Sequence, residues 1–307
     1  MYIFKQNDIV PWGGCVATVG FFDGIHAGHR FLLQELKEIA QKNHLNAVVV
    51  TFDKHPRKVL QAAFQPQLLT TQKEKIALLS ATEIDACVVL NFTEQLSHFS
   101  AYEYMKNILQ EQLKVKVLLV GHDHRFGYNR QQGFDDYVEI GNSLGISVLK
   151  IGQFVDKSYP RISSSQIRNF IQEGKIGQAN KILTYPYSLS GKVVAGNRIG
   201  HEIGFPTANI VPEEKDKIVP ATGAYAVNVL YADKIYRGMM NIGYRPTLKA
   251  GNDVKIEVNI FDFDENIYNK TITVQFLEYL RGEIKFRNLE ELKKQLHKDK
   301  ETAISIE

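Results

Sequence analysis

The pattern of hydrophobic residues changes once along this chain, near residue 185, and that change constrains the fold more than any other feature. Before it, short β-branched runs alternate with segments whose apolar residues recur every three or four positions, as in Leu32 and Leu36. After it, apolar and polar residues alternate in steps of two between hairpin turns such as Ala232-Asp233. A chain of 307 residues with two such patterns predicts two domains, which we place at residues 1–184 and 185–307.

The first pattern predicts an α/β domain with a doubly wound parallel sheet, because alternating strands and helices cover both faces of such a sheet. The predicted strands are Cys15–Val19, Ala47–Phe52, Ala86–Phe92, Val115–Val120 and Ile146–Ile151. The predicted helices are Phe31–Gln41, Gln72–Ser80, Ala101–Gln112 and Asp135–Gly141. Ligands of these sheets bind beyond the carboxyl ends of the strands, so the first strand-to-helix turn is the expected site.

The second pattern predicts an antiparallel β-barrel or sandwich closed by one helix. The predicted strands are Tyr225–Tyr231, Lys234–Met240, Val254–Phe263 and Lys270–Leu280. The closing helix is expected at about Leu289–Lys298, where Leu289, Leu292 and Leu296 share one face. Two architectures in one chain indicate two activities.

Charges are nearly balanced, with 37 Lys and Arg against 34 Asp and Glu residues and a net charge of +3. This balance does not favour a nucleic-acid or membrane surface. The two cysteines, Cys15 and Cys87, lie in apolar segments, so we expect reduced core residues in a cytoplasmic chain. We expect neither secretion nor membrane spanning, because the sequence has no leader pattern and no run of ~20 apolar residues.

The first strand-to-helix turn contains two histidines, His26 and His29, with Gly28 between them. Residues three apart face the same way on one helical turn, and a helix start offers free amides and a positive dipole end. The pattern therefore indicates a cradle for the phosphates of a nucleotide. A zinc pair, for which no further ligands lie nearby in sequence, and histidines that merely cap and pack remain alternatives.

A second basic segment follows the last predicted strand. Ser163 and Gln166 fit a capping box, which explains the serine without a ligand. It does not explain Arg168, because a cation near a helix start is disfavoured by roughly 0.3–1 kcal/mol unless an anion binds there. Together with Arg161, this segment indicates a second phosphate contact that closes over the first.

These segments resemble the nucleotidyltransferase superfamily, and more narrowly the adenylyltransferase half of the bacterial bifunctional riboflavin kinase/FAD synthetases. The resemblance rests on the segments Gly20–His29, Thr51–Pro56, Gly121–Gly127 and Ser163–Arg168. It departs from the family at Phe21, where Asn is commoner, and at His122 and His124, where acidic, amide or aromatic residues are commoner.

This resemblance implies a Rossmann-like domain in which His26 and His29 act in catalysis. The nucleotide and phosphate contacts that it implies are Gly20, Asp23, Gly28, Arg161, Ser163, Ser164, Ser165 and Arg168. The flavin contacts that it implies are Phe52, Asp123 and Phe126.

In the second half, glycines recur four or five residues apart between Gly191 and Gly204 and precede Thr207 and Asn209. Glycines at this density allow backbone amides to wrap a phosphate chain, although strand-end turns are the commoner explanation of such glycines. Thr207 and Asn209 offer the oxygen ligands that Mg²⁺ prefers, unless they only begin a strand after Pro206. Glu257 lies in an alternating strand, where alternation alone favours a solvated face.

The second half resembles the riboflavin kinase family, through these residues and the segments Asn241–Thr247, Asp262–Asp264 and Arg281–Phe286 in the same order. It implies a six-stranded barrel in which Thr207 and Asn209 hold Mg²⁺ and nucleotide and Glu257 is the base on riboflavin. The implied phosphate contacts are Gly196, Gly200 and Gly204, and the implied flavin contacts are Arg281 and Glu283.

Both resemblances predict an enzyme that phosphorylates riboflavin with ATP to FMN and then adenylylates FMN with ATP to FAD and pyrophosphate. The expected partners are riboflavin, FMN, FAD, ATP and Mg²⁺, with no nucleic acid and no membrane. Two alternatives stay open: another small-substrate nucleotidyltransferase with a regulatory barrel, and a flavin-binding storage or sensor protein.

Overall fold

The computed structural model describes residues 1–306 except 62, 64, 123, 153, 155–158, 160–161, 197–199, 201–202 and 245–253. The chain divides into two compact units, Met1–Ser163 and Ser164–Glu307. The predicted boundary after residue 184 stays a prediction. In the described part of the chain, no helix combines the length and apolarity needed to cross a membrane.

The first unit is a parallel sheet covered by helices, as predicted, and the sheet has six strands where the sequence predicts five. Its strands are β1 Tyr2–Lys5, β2 Cys15–Val19, β3 Asn46–Phe52, β4 Ala86–Leu90, β5 Val115–Val120 and β6 Ser147–Lys150. Its helices are α1 Ala27–Lys42, α2 Pro56–Leu60, α3 Gln72–Ser80, α4 Glu94–Ser97, α5 Ala101–Glu103 with a π-helical continuation Tyr104–Gln112, a 3-10 turn Tyr128–Arg130, and α6 Phe134–Leu144.

Alternate residues of the central strands face two separate hydrophobic clusters. Ala17 and Val48 belong to one cluster, and Val16 and Val49 belong to the other, all fully buried. Both faces of the sheet are therefore covered, which explains why its strands are almost uniformly apolar. The sequence prediction missed β1, because it is short and its residues are largely exposed.

The strand order is β1-β4-β3-β2-β5-β6. The chain leaves β2 towards β3 on one side, and β5 lies on the other side of β2. The order thus reverses at β2 and β5, and ligands bind outside the carboxyl ends of strands at such a reversal. The turns after Val19 and Val120 lie at that point.

The second unit is a closed antiparallel barrel with helices packed on it, which confirms the predicted barrel and closing helix. Helices α7 Ser164–Gln172 and α8 Ile176–Leu183 precede the strands β7 Ser188–Val194, β8 Ala208–Pro212, β9 Gly223–Tyr231, β10 Lys234–Tyr244, β11 Val254–Ile260 and β12 Thr271–Arg281, and α9 Leu289–Ser305 follows them. The order around the barrel is β10-β11-β8-β7-β12-β9.

Helix α8 is fixed to the barrel by one asparagine. Asn180 Nδ2 donates to the Phe276 carbonyl at 2.9 Å, and Asn180 Oδ1 accepts from the Tyr187 N–H at 2.8 Å. These bonds join α8, β12 and the segment that enters β7. Helix α8, which precedes the change in hydrophobic pattern, is thereby attached to the barrel of the second unit.

We expect Gly141→Ala to destabilise the first unit by about 1–3 kcal/mol, the usual cost of overpacking. A Cβ at Gly141 would lie 2.5 Å from the Ile146 carbonyl oxygen and 2.5 Å from a Val148 methyl group. Fluorescence of Trp12, the one tryptophan in the sequence, reports unfolding of this unit in urea. Gly13→Ala is the control, because a Cβ there meets nothing within 4 Å. Equal stability of the two variants would contradict this packing.

Candidate active sites

The turn after β2 ends in a helix cap made by a histidine. His26 is the N-cap of α1, and its Nδ1 accepts the His29 backbone N–H at 3.3 Å. The two imidazole rings stack with their centroids 3.7 Å apart. Because Nδ1 of His26 is an acceptor, a neutral His26 carries its proton on Nε2. The structure thus brings the two histidines together, as their spacing predicts, while His26 also serves as a cap.

Among the described residues, no group of three or more His, Cys, Asp or Glu side chains could hold a metal ion.

The backbone of this turn adopts conformations that need support. The φ angles of Phe22 and Ile25 are +54° and +38°, and that of Gly24 is +84°. Non-glycine residues keep such angles only where the surrounding structure imposes them. A Cβ at Gly20 would lie 2.9 Å from the Phe22 ring, so Gly20 has a packing role beside the predicted phosphate contact.

The Asp23 carboxylate anchors the turn to the chain at residues 69 and 70. Asp23 is 3% exposed and accepts hydrogen bonds from the Leu69 N–H at 3.0 Å and the Thr70 N–H at 2.9 Å. The Thr70 hydroxyl donates to Asp23 at 3.1 Å and accepts from the Gly24 N–H at 3.1 Å. A contact between Asp23 and nucleotide stays a prediction.

Burial keeps two imidazoles of this site neutral. Desolvation, followed by the proximity of His26 and His124, lowers the pKa of His29 well below its usual value of 6.5. Desolvation, with a smaller effect of Arg130, lowers the pKa of His124 to about 4. Nδ1 of His29 and Nε2 of His124 have no hydrogen-bond partner in the part of the chain that the structure describes. Each of these nitrogens is therefore available to hydrogen-bond a bound polar group or a water molecule.

The second predicted phosphate segment begins beside the histidine turn. A Cβ at Gly28 would lie 3.4 Å from the His26 ring and 3.9 Å from Cγ2 of Ile162. Ser163, the next residue, ends the first unit. The remaining predicted contacts lie on α7 of the second unit: Ser164, Ser165 and Arg168. Arg161 lies outside the described residues.

The predicted flavin aromatics of the first unit pack against other rings. Phe52 is 8% exposed and meets Phe92 edge-on, with centroids 5.2 Å apart. Phe126 stacks on Tyr137 with centroids 4.2 Å apart, and the Tyr137 hydroxyl accepts the Phe126 N–H at 2.9 Å. Their contact with flavin stays a prediction, and Asp123 lies outside the described residues.

Sequence reasoning missed Lys75, a buried lysine of α3 whose ammonium group contacts the ends of β2 and β3. One signal was present in the sequence. Lys75 lies four residues before the core residue Leu79, so both face inward on α3.

The barrel site is built across three neighbouring strands. Glu257 on β11 pairs directly with Asn209 on β8 and with Asn241 on β10, so these side chains share one face. Oε1 of Glu257 lies 2.8 Å from the Lys255 ammonium nitrogen and accepts from the Thr207 hydroxyl at 3.5 Å. The Glu257 side chain is 23% exposed. The catalytic role of Glu257 stays a prediction.

The oxygen groups of Thr207 and Asn209 fit a hard cation. Oδ1 of Asn209 is buried without a hydrogen-bond partner among the described residues, and Thr207 lies two positions earlier with an exposed hydroxyl. Mg²⁺ prefers such amide and hydroxyl oxygens alongside phosphates. A Cβ at Gly196 would lie within 3 Å of the Asn209 amide, so glycine is needed for this close approach. Gly204 has a φ of +83°, and Gly200 accepts the Phe205 N–H at 2.8 Å.

The two predicted flavin contacts of the second unit differ in their surroundings. The Arg281 guanidinium forms a two-pronged ion pair with Asp299 of α9, with its Nη2 at 2.7 Å and its Nε at 3.0 Å from Oδ2. Glu283 is exposed and approaches Gly243 on β10, on the face that carries Asn241. The structure therefore brings Glu283 near the Glu257 face, whereas Arg281 fastens the last helix. Flavin contacts of both residues stay predictions.

A cavity of about 700 Å³ adjoins Thr207. Its lining combines apolar residues with a few polar ones. The residues that line it are Val193, Pro206, Thr207, Ala208, Val258, Ile260, Phe263, Asp264, Glu265, Asn266, Ile267 and Tyr268. Small-molecule sites typically combine such walls with a few polar groups.

The pKa of His124 predicts how the first unit responds to acid. Its folded-state pKa of about 4 lies below the unfolded value of 6.5, so the unfolded chain binds the proton first and stability falls as pH decreases from 6.5 to about 4. We expect His124→Phe to reduce the loss of unfolding free energy between pH 7 and pH 5 by about 2 kcal/mol. Urea titrations followed by Trp12 fluorescence measure the unfolding free energy of each protein at the two pH values. His122→Gln is the control, because His122 is exposed. If the unfolding free energy of His124→Phe depended on pH in the same way as that of the unmodified protein, the burial of His124 would be contradicted.

The comparisons with known proteins cover both units. Residues 9–166 match the family model for FAD synthetase, and residues 183–306 match that for riboflavin kinase. A crystal structure of a Streptococcus pneumoniae protein described as a macrolide-efflux protein is 30% identical, with a TM-score of 0.91 over 100% of both chains. The efflux description applies to that protein.

Several curated relatives share the full architecture. A Buchnera aphidicola protein is 36% identical over 92% of this chain and 90% of its own length. An Escherichia coli K12 protein is 36% identical over 95% of this chain and 93% of its own length. A Listeria monocytogenes protein is 35% identical over 93% of this chain and 90% of its own length. All three are named bifunctional riboflavin kinase/FMN adenylyltransferase. With both family models matched in order, the chain belongs to the family of bifunctional riboflavin kinase/FMN adenylyltransferases.

Proposed function

We propose that the turn carrying His26 and His29 binds the triphosphate of ATP for FMN adenylylation. A phosphate oxygen of FMN attacks the α-phosphorus of ATP, the bond to the β-phosphate oxygen breaks, and pyrophosphate leaves. FMN phosphate is already ionised, so the chain supplies positioning and charge stabilisation rather than a nucleophile. The observation that carries this proposal is the stacked pair at the start of α1, where His29 Nδ1 is buried and lacks a partner among the described residues.

The serine and arginine segment supports the same site. Ser163 follows Ile162, which approaches Gly28. We therefore assign Ser163 to the charge of the triphosphate, with Gly20 and Gly28 allowing its close approach. Phosphate contacts of Ser164 and Arg168 stay predictions. The assignment of residues 1–184 to adenylyl transfer and of 185–307 to kinase activity belongs to the same proposal.

In the barrel, we propose that Glu257 accepts the proton of the terminal hydroxyl of riboflavin as that oxygen attacks the γ-phosphorus of ATP, and ADP leaves. Lys255 holds the Glu257 carboxylate at 2.8 Å, which orients it for proton transfer. Thr207 and Asn209 are the residues that would hold Mg²⁺, which spreads the negative charge of the transferring phosphate. The cavity beside Thr207 is the proposed place for the adenine ring, because its apolar walls suit a flat base.

We also place the reaction in the cytoplasm. Cys15 and Cys87 are buried free thiols, which suits a reducing compartment.

The two reactions should be separable by single substitutions. His26→Ala should lower FAD formation from supplied FMN by on the order of 10²–10³, the usual cost of losing one preorganised donor. Glu257→Gln keeps the shape of the side chain without its charge and should lower FMN formation from riboflavin by about 10²–10⁴. Chromatography of flavins over time measures both rates in each variant.

Each variant is the control for the other, because His26 and Glu257 lie in different units. Equal loss of both activities in His26→Ala would show that the histidine only supports the fold. Full kinase activity in Glu257→Gln would return Glu257 to the solvated-face interpretation.

The metal assignment has its own expected outcome. Thr207→Val removes one proposed oxygen ligand, so it should raise the Mg²⁺ concentration needed for half-maximal kinase activity about tenfold or more, with little change in thermal stability. Thr271→Val is the control, because Thr271 also begins a strand but its hydroxyl donates to Glu213 at 2.8 Å. Unchanged Mg²⁺ dependence together with lowered stability would assign Thr207 to the fold alone.

A further inference from the structure

Lys75 is a buried cation that the chemistry described above does not use. It lies on α3 and is 2% exposed. Its Nζ donates to the carbonyl oxygens of Phe21 at 3.2 Å and Phe52 at 3.0 Å, and to the Thr51 hydroxyl at 3.1 Å. Nζ also lies 4.2 Å from the centroid of the Phe21 ring. A buried ammonium group is expensive unless such partners satisfy it.

The partners of Lys75 belong to the segments that form the adenylyl site. Phe21 opens the turn that ends at His26, and Phe52 ends β3, beside β2 in the sheet. The Thr51 hydroxyl itself donates to the Phe21 carbonyl at 3.2 Å. Phe21 therefore packs both its ring and its carbonyl on the same ammonium group.

We propose that Lys75 is a positioning residue for adenylyl transfer, whose ammonium group fixes the strained turn that places His26 and His29. This inference rests on the proposed role of those histidines. Asp23 holds the middle of the turn through residues 69 and 70, and Lys75 holds its start. A displacement of catalytic groups by about 1 Å can cost on the order of 10² in rate.

The geometry requires the protonated form of Lys75. An ammonium group has three N–H donors for its three oxygen partners, whereas a neutral amine has two. Two partners are carbonyls, which accept only, and the Thr51 proton is already given to Phe21. Loss of the Lys75 proton must therefore release or rearrange at least one of these bonds.

The groups that face Lys75 determine the pH at which Lys75 loses its proton. Desolvation lowers the pKa of Lys75 to about 8, while Asp23, Cys87 and Asp53 act in the opposite direction. The folded chain loses this proton before the unfolded chain does, so this group adds stability as pH rises from about 8 to 10.5. A loss of activity in that range would therefore not reflect unfolding caused by Lys75.

The test is the pH dependence of FAD formation from FMN and ATP by the full chain. We expect kcat of the unmodified protein to fall above about pH 8 as a single ionisation, by at least threefold at pH 9, while Trp12 fluorescence remains native. Arginine does not deprotonate in this range, so Lys75→Arg should remove the alkaline fall even if its rate at pH 7 is lower. Lys73→Met, at an exposed position of α3, should keep the profile of the unmodified protein.

Thr51→Val is a second variant that does not depend on whether arginine fits the site. It leaves one Lys75 N–H without a partner, which disfavours the charged form, so the alkaline fall should move to lower pH. Kinase profiles of the same preparations should be unchanged. The proposal would be overturned if kcat of Thr51→Val fell at the same pH as kcat of the unmodified protein. It would also be overturned if kcat of Lys75→Arg kept the alkaline fall of the unmodified protein. If His26→Ala retained FAD formation, the role of the histidines would fail instead, whatever the profile of Lys75→Arg.

Discussion

The hydrogen bonds of the Asp23 carboxylate are the interaction on which the proposed adenylyl site depends. Buried among backbone N–H groups of residues 69 and 70, it holds a turn with positive φ angles at Phe22 and Ile25. A buried carboxylate without such donors would cost several kcal/mol, so the turn and the segment before α3 must fold together. The start of α1, and with it the stacked histidine pair, follows from that contact.

The second unit uses buried charge in a related way. Asp299 of α9 is 4% exposed and receives a two-pronged ion pair from Arg281 together with the Gln295 side-chain N–H at 2.8 Å. This arrangement ties the end of β12 to the last helix. In both units, a hydrogen-bonded buried carboxylate links a segment near the proposed site to another segment of the same unit, which fixes geometry better than apolar contacts alone.

Much of the fold followed from the period of the hydrophobic residues. The strands from Cys15 to Val120 were predicted within about two residues, because strands buried on both faces are continuously apolar. The edge strand β1 was missed, because its exposed residues carry no such signal. The helix predicted at Ala101–Gln112 has the expected bounds, but most of it is a π-helix, a difference in hydrogen bonding that periodicity cannot distinguish.

The candidate sites were predictable only where local spacing decides them. The spacing of His26 and His29, three residues apart, predicts that they lie together. The sequence also indicates Glu257 and Asn209 as separate candidates, but their direct pairing depends on the register of β11 and β8, which local spacing does not determine. Lys75 and its partners lie at least 23 residues apart in sequence. Contacts at that distance follow from the order of the parallel strands, which brings the ends of β2 and β3 beside α3.

Two titratable groups of the first unit have pKa values shifted to opposite sides of neutral pH. His124 stays neutral until about pH 4, so acid favours the unfolded chain, whereas Lys75 loses its proton near pH 8, where stability does not suffer. Burial of either group has a cost that a wholly apolar core would avoid. Such costs are typical of functional sites, where a fixed arrangement of charges matters more than maximal stability. Between these two pKa values His124 is neutral and Lys75 is charged, which is the state of Lys75 that the hydrogen bonds around the proposed site require.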